Sequence, residues 1–218
     1  MDWSPFNLFI RAFLLFVTGC FFAVVLNLLQ VQNNITLFPE DETSWTYKLL
    51  YSAWWVPPSV GTGAVIIGIA YPCFDCVRLF DRTTREPIGW SSVIRCVALF
   101  VGINHASAKI VFTNNVQLSM SLAAMSFGLW WLFDRSRTGL FLGFTVAILA
   151  TTVAMILVYN GVYQYKDPDF FYIRSWLPCI FFSGGVTFGS IGRQLAKENF
   201  KKLFQRSTAA AAVHEHQD

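Results

Sequence analysis

The amino-acid sequence predicts an all-α membrane protein, a bundle of six transmembrane helices with both termini in the cytosol. Of its 218 residues, 55% are hydrophobic and 13% are charged, whereas about a quarter of the residues of a soluble domain are charged. The hydrophobic residues form repeated runs of about 20, the length that crosses roughly 30 Å of hydrocarbon. The pattern indicates one membrane domain over residues 1–206 and a flexible cytosolic tail over residues 207–218.

Six apolar segments supply the predicted spans, at about residues 12–30, 49–71, 93–112, 116–133, 139–158 and 177–191. The first follows Arg11 and is longer than the apolar core of a signal peptide, so it is predicted to stay uncleaved. The third and fourth are separated only by residues 113–115, which predicts a tight antiparallel pair. Gly61 and Gly63 in the second span, and a GxxxG pattern in the sixth, favour close packing of helices.

The distribution of basic residues predicts the orientation. Twelve of the 16 Lys and Arg residues lie in the amino-terminal segment, the second loop with Arg95, the fourth loop and the tail. The positive-inside tendency assigns these segments to the cytosol. The other four basic residues, in the alternate loops, are Lys48, Lys109, Lys166 and Arg174. Asp134 is then expected at the cytosolic end of the fourth span and Gln117 near the lumenal end.

Several function classes find no support in the sequence. A net charge of +3 without a basic stripe argues against nucleic-acid binding, and five cysteines without paired spacing give no disulfide framework. Cys73 and Cys76 form a CxxC without a second pair or a flanking His, which indicates two thiols at the membrane edge. No nucleophile elbow, HExxH or phosphate loop occurs, so no catalytic residue, metal site or cofactor is expected.

Polar residues inside the spans are costly and therefore informative. Asn104 and His105 are expected either to form interhelical hydrogen bonds within the bundle or to line a site for a polar ligand group or a proton relay. Lys109 is expected to extend its ammonium group to the nearby lumenal surface. Asp134 is expected either to neutralise Arg135 or Arg95 or to anchor a partner helix.

Trp130 and Gln117 differ in their relation to Asp134. Trp130 precedes Asp134 by four residues and shares its helical face. Gln117 is offset from Trp130 by about 220° on an ideal helix, so the wheel does not place the two in a single groove.

Seven segments of this chain resemble the insulin-induced gene (INSIG) family, in order, from about Phe13 to Ala196. They are FFAVVLNLLQVQNNITLFP, SAWWVPPSVGTGAVIIGIAYPC, RCVALFVGINHASAKI, NNVQLSMSLAA, GLWWLFDRSRTG, LVYNGVYQY and RSWLPCIFFSGGVTFGSIGRQLA. The resemblance implies a six-helix protein of the endoplasmic reticulum membrane, without catalytic activity, that binds oxysterols such as 25-hydroxycholesterol.

The resemblance also implies partners and site residues. Such a protein holds Scap, with its SREBP cargo, in the endoplasmic reticulum when sterol is plentiful, and brings membrane-bound ubiquitin ligases to HMG-CoA reductase. Matching the family's motifs assigns sterol binding to Phe100, Gln117 and Trp130, and partner binding to Asp134 of the FDRSR motif.

Two other functions are weighed against this one. A small-solute transporter or channel would use the polar third span as its path, yet no inverted repeat is found, and a flux assay would distinguish it from an adaptor. An intramembrane hydrolase with His105 as its base lacks a nucleophile within reach.

Overall fold

The computed structural model describes residues 3–32, 36–37, 54–77, 89–109, 115–165 and 168–198. Within these ranges two short strands, β1 (Thr36–Leu37) and β2 (Gln164–Tyr165), pair antiparallel, and the remaining regular structure is helical. The helices are α1 (Pro5–Gln32), α2 (Val56–Val77), α3 (Trp90–Lys109), α4 (Asn115–Leu129) with a π-helical turn at Trp130–Asp134, α5 (Arg137–Tyr159) and α6 (Leu177–Lys197). The prediction of an all-α protein is confirmed, while residues 207–218 lie outside the described residues.

Five helices are long and apolar enough to cross a bilayer, so this is a multi-pass membrane protein. They cover Pro5–Gln30, Val56–Cys76, Trp90–Lys109, Asn115–Asp134 and Arg137–Tyr159. Large apolar side chains on their outer faces are exposed, among them Phe13 and Phe21 of α1 and Ile148 of α5. In lipid these faces meet hydrocarbon, which explains why so many aromatic and aliphatic side chains can point outward.

The sixth predicted span, residues 177–191, is the helix at the centre of the bundle. α6 packs against each of the other five helices, and 15 of its 21 residues are buried. Its Ser, Thr and Gly residues therefore face protein, and Ser183, Thr187 and Ser190 each donate a hydrogen bond to a carbonyl of the preceding turn. A helix surrounded by protein needs fewer apolar side chains than one that faces lipid. This explains why α6 is not among the five helices that are long and apolar enough to cross a bilayer.

The first helix begins seven residues earlier than predicted, because Arg11 lies inside it. The prediction started the span after Arg11, since a charge within a span is costly. Arg11 is buried at the end of α6, where its Nη2 donates to the carbonyl oxygens of Ala196 at 2.9 Å and Glu198 at 3.1 Å. A guanidinium at a helix carboxyl end complements the helix dipole and binds carbonyls that have no partner within the helix.

These contacts define the two ends of the bundle. The start of α1 and the end of α6 meet at Arg11, and Trp90 at the start of α3 donates to the Glu198 carboxylate at 3.2 Å. This end is called the terminal end, and it is the end that the basic residues predict to be cytosolic. The opposite, distal end carries the sheet formed by β1 and β2.

Small residues let the helices approach closely, as the sequence predicts for α6. A Cβ on Gly19 would lie 2.7 Å from the Ala64 Cβ, so α1 and α2 pack nearly backbone to backbone. Gly192 of α6 packs directly on the carbonyl of Gly68, which lacks its usual partner because Pro72 has no N–H. The prediction for Gly61 is confirmed, whereas that for Gly63 is wrong, since no described residue outside its own helix lies within 4 Å of a Cβ placed there.

Candidate functional site

The corner between α4 and α5 is built by a change in helix geometry. The last turn of α4, Trp130–Asp134, is π-helical, and the Arg135 N–H closes it by donating to the Trp130 carbonyl at 2.6 Å. Arg135 adopts a left-handed conformation with φ of 49°, which ends the helix. Ser136 then caps α5 by accepting the Gly139 N–H at 2.9 Å. Such π-helical turns occur frequently at functional sites.

Asp134 is buried at this corner, with 1% of its surface exposed. Its Oδ1 accepts a hydrogen bond from the Ser136 hydroxyl at 2.7 Å and forms an ion pair with the Arg193 guanidinium. Its Oδ2 has no hydrogen-bond partner among the described residues and lies against Gly139, where an added Cβ would overlap it. Only glycine leaves room for the carboxylate here.

The expectation that Asp134 neutralises Arg135 or Arg95 is wrong. Both arginines are exposed. The Arg135 guanidinium stacks on the Trp131 ring at 4.3 Å, and Arg95 donates to the Ser91 carbonyl at 3.2 Å. The left-handed residue turns Arg135 away from the carboxylate, and the cation that pairs with Asp134 comes from α6.

Arg193 joins four elements of the bundle. Its Nε and Nη2 donate to the two carboxylate oxygens of Asp75 at 2.6 and 2.9 Å, and Nη2 also donates to the Ser136 hydroxyl at 3.0 Å. The guanidinium lies 4.8 Å from the Tyr71 ring centre, and the Tyr71 hydroxyl donates to the Gly139 carbonyl at 3.2 Å. One side chain of α6 thus holds α2, the π-helical turn and the start of α5.

Sequence reasoning missed Arg193 and Asp75. The predicted sixth span ends at residue 191 and leaves Arg193 in the tail, and Asp75 lies between the two cysteines of the CxxC, for which no role is predicted. The hydrophobic residues Leu195 and Ala196, which follow Arg193, are the available signal that α6 extends beyond it.

Trp130 and Phe100 lie in one buried cluster, together with Leu122, Leu129 and Val186. The Trp130 indole N–H donates to the Ser136 carbonyl at 3.1 Å, so this ring is positioned by the same corner that holds Asp134. The Phe100 ring packs edge-to-face on Phe22 with 6.2 Å between ring centres. Two of the three residues assigned to sterol binding are therefore buried members of the same core cluster.

Gln117 lies apart from this cluster and is exposed. It stands in the first turn of α4 near the distal end, and the 13 residues to Trp130 correspond to about 20 Å of helix. The offset expected from the helical wheel is confirmed, since Gln117 faces outward and Trp130 faces inward.

Asn104 and His105 do not form the expected interhelical contacts. The buried Asn104 amide donates to the Phe100 carbonyl of its own helix at 2.9 Å, and its Oδ1 has no partner among the described residues. His105 and Lys109 are exposed. Adjacent residues of a helix point about 100° apart, so only Asn104 faces the bundle.

The corner combines a buried ion-pair network with a neighbouring cluster of rings. Its charged groups are engaged with one another, and the ring cluster beside them is apolar. Among the described residues, no group of three His, Cys, Asp or Glu side chains is arranged to hold a metal ion. Cys73 and Cys76, like the other three cysteines, are free thiols.

Comparison with known proteins identifies the family. The family profile of insulin-induced protein (INSIG) matches residues 10–196. The chain is 58% identical to insulin-induced gene 2 protein of Gallus gallus over 201 residues, covering 92% of this chain and 87% of the relative. It is 61% identical to insulin-induced gene 1 protein of Xenopus laevis over 194 residues, covering 88% and 74%.

A solved structure has the same fold. The mycobacterial Insig homolog MvINS from Mycobacterium vanbaalenii superposes with a TM-score of 0.72 at 21% identity, covering 85% of this chain and 94% of that one. The sequence relatives and the family profile span nearly all of the helical bundle described above, so this chain belongs to the insulin-induced protein (INSIG) family.

Proposed function

We propose that this chain is a sterol-responsive membrane adaptor without catalytic activity, resident in the endoplasmic reticulum. It binds an oxysterol such as 25-hydroxycholesterol and retains Scap, with its SREBP cargo, when sterol is plentiful. It also brings membrane-bound ubiquitin ligases to HMG-CoA reductase, which gives feedback control of cholesterol synthesis. Membership of the insulin-induced protein family supports this proposal.

The observation that carries the proposal is an exposed stripe along α4, called the α4 stripe. Its members follow helical spacing of three and four residues and all point outward: Gln117, Met120, Ala124, Phe127 and Trp131. A sterol is rigid, flat and mostly apolar, so it fits a long apolar surface that offers few hydrogen-bonding groups. The Gln117 amide at one end of the stripe is suited to a sterol hydroxyl.

Trp130 supports this surface directly, and Phe100 belongs to the same buried core. Trp130 is buried beneath the stripe, with its ring centre 5.0 Å from that of Phe127 and 6.0 Å from that of Trp131. Phe100 lies in the same buried cluster. In the proposal these two residues shape the surface on which the sterol lies, while Gln117 touches the sterol directly.

Asp134 serves partner binding as a positioning residue. Because the carboxylate is buried and paired with Arg193 and Ser136, a partner helix meets the side chains that the corner displays. These are Trp131 and Arg135, which are exposed and stacked on each other. Loss of the Asp134 charge releases the π-helical turn that orients them.

A partner helix that covers the α4 stripe buries the sterol at the shared surface. Sterol then raises the affinity for the partner, and by linkage the partner raises the affinity for sterol by the same factor. This reciprocity distinguishes an adaptor whose sterol lies in the interface from a protein that binds sterol and partner independently.

The test is recovery of Scap from membranes with and without 25-hydroxycholesterol, using the tagged full chain. The proposal expects sterol to increase recovery of Scap and added Scap to increase retention of labelled sterol. Equal recovery in both conditions contradicts it. Movement of a small solute by the reconstituted protein would instead favour the channel alternative, for which the exposed His105 and Lys109 offer no continuous path through the bundle.

A further inference from the structure

Three aromatic side chains project from a tight turn at the distal end. Phe170 and Ile173 form an antiparallel bridge, with the Ile173 N–H donating to the Phe170 carbonyl at 2.8 Å and the Phe170 N–H donating back at 2.9 Å. Between them Phe171 and Tyr172 have φ of 40° and 69°. Positive φ at both central residues defines a type I′ turn, which normally takes Asn or Gly. This segment, Phe170–Ile173, is called the aromatic turn.

Bulky residues are unfavourable in this backbone conformation, so the side chains of Phe171 and Tyr172 have a reason to be there other than forming the turn. They do not pack into the protein, since their exposed fractions are 70% and 63%. The Phe170 and Phe171 rings contact each other edge-to-face at 4.9 Å between centres. The turn therefore presents the side chains of Phe171 and Tyr172 outward, although their backbone conformation is unfavourable for bulky residues.

The turn is held rigidly by its flanks. The Asp169 carboxylate accepts hydrogen bonds from the Ser175 N–H at 2.7 Å and the Ser175 hydroxyl at 2.8 Å. The same hydroxyl contacts that of Ser119 on α4 at 2.6 Å. Ile173 and Trp176 are fully buried in the core. Hydrogen bonds of Asp169 before the turn, and the buried side chains of Ile173 and Trp176 at its end and after it, therefore fix the position of the aromatic side chains.

The outward rings continue the lipid-facing surface of α5. Ile148, Thr152, Ile156 and Tyr159 share one exposed face of that helix. The Tyr172 ring lies 6.4 Å from the ring of Tyr159, the last residue of this span. The aromatic turn thus stands level with the end of a span, where aromatic side chains sit at the boundary between hydrocarbon and headgroups.

We propose that the aromatic turn is a membrane anchor, in which Phe170, Phe171 and Tyr172 insert into the leaflet at the distal end. The partner is the lipid surface itself. Since none of these three side chains is charged, insertion needs no anionic lipid. Through Ser175 and Ser119, the anchor fixes the first turns of α4 relative to the bilayer.

The test places the photoreactive residue p-benzoylphenylalanine at single positions of the full chain, reconstituted in phosphatidylcholine vesicles that contain labelled lipid. Position 171 is compared with position 148 in the middle of the lipid face and position 164 in β2, which is exposed at the same end. The proposal expects lipid adducts at 171 to approach those at 148 and to exceed those at 164 several-fold. Lipid adducts at 171 no higher than at 164 overturn it, as do adducts mainly to protein, which indicate a protein partner or a second copy.

A second variant distinguishes the contribution of the aromatic side chains to lipid contact from that of the position of the turn. Phe171→Gly combined with Tyr172→Gly suits the positive φ values, so the turn and the fold are retained. With p-benzoylphenylalanine at position 170, this variant is expected to lose most of its lipid adducts, while adducts at position 148 in the same background stay unchanged. Undiminished adducts at 170 would mean that location alone holds the turn at the membrane, and would overturn the anchor.

Discussion

Arg193, near the carboxyl end of α6, is ion-paired with Asp134, the last residue of the π-helical turn. The pair lies inside the bundle and Arg193 is shared with Asp75, so two acidic side chains from different helices bind one guanidinium. A buried charge that loses its partner is strongly destabilising. The pair therefore sets the geometry of the corner that the proposed adaptor displays.

Replacing Asp134 with Ala is expected to leave the protein folded but less stable, and to abolish capture of Scap. Removing one member of a buried pair typically costs about 3–5 kcal/mol, and the remaining contact with Asp75 puts the loss at the low end, about 3 kcal/mol. Thermal unfolding in detergent measures the stability, and co-purification measures the capture. Scap recovery equal to that of the unaltered chain would contradict the role given to Asp134.

Arg193→Gln is expected to reproduce the partner defect of Asp134→Asn, because both changes release the same corner. The double variant should be less destabilised than the sum of the single changes, with a coupling of about 0.5–3 kcal/mol, as found for residues in direct contact. Arg95→Gln is the matched control, since this exposed arginine donates to the Ser91 carbonyl of its own helix and lies outside the proposed partner surface. Additive effects of the two buried changes would exclude the shared mechanism.

Gly139→Ala is expected to destabilise the protein by several kcal/mol, on the order of the cost of overpacking added to a displaced buried charge. Its Cβ would overlap the Asp134 Oδ2, which has no room to move. Gly63→Ala in α2 provides the control, because a Cβ added there meets no described residue outside its own helix within 4 Å and alanine favours a helix by about 0.5–1 kcal/mol. Equal melting temperatures for the two variants would refute the close approach at Gly139.

Gln117→Ala is expected to weaken binding of labelled 25-hydroxycholesterol roughly two- to thirteenfold, the equivalent of one hydrogen bond of about 0.5–1.5 kcal/mol. Because Gln117 is exposed, the melting temperature should stay unchanged. Trp130→Phe should also weaken sterol binding, but with a loss of stability, since the ring is buried and its N–H holds the Ser136 carbonyl. Gln164→Ala, an exposed change away from the α4 stripe, should alter neither property.

Much of the fold could be predicted because hydrophobic runs specify spans directly. The predicted third, fourth and fifth segments agree with α3, α4 and α5 to within a few residues. The position of Arg11 inside α1 could not be predicted, because its partners, the carbonyls of Ala196 and Glu198, are distant in sequence. A charged residue within an apolar segment therefore marks the end of a span only where the folded protein provides no hydrogen-bond partner for it.

The candidate site was predicted only in part, for a related reason. Trp130 and Asp134 share a helical face, and the helical wheel correctly separated Gln117 from them. The partner of Asp134 could not be found by proximity in sequence, because a left-handed residue diverts the neighbouring Arg135 and the actual cation comes from α6. Asp75 and Arg193 lie 118 positions apart, and only the packing of α2 against α6 through Gly189 and Gly192 brings them together.

The capping of α6 by Arg11 has a consequence for the order of events during synthesis. Arg11 and Ala196 are 185 positions apart, so at about 5–20 residues per second the ribosome needs on the order of 10–40 s to supply the second partner after the first. Throughout that interval the nascent chain carries a guanidinium that has not yet reached its final acceptors. The contacts between Arg11 and the end of α6 therefore cannot form before translation has passed residue 198, whereas α1 and α2 can pack against each other earlier.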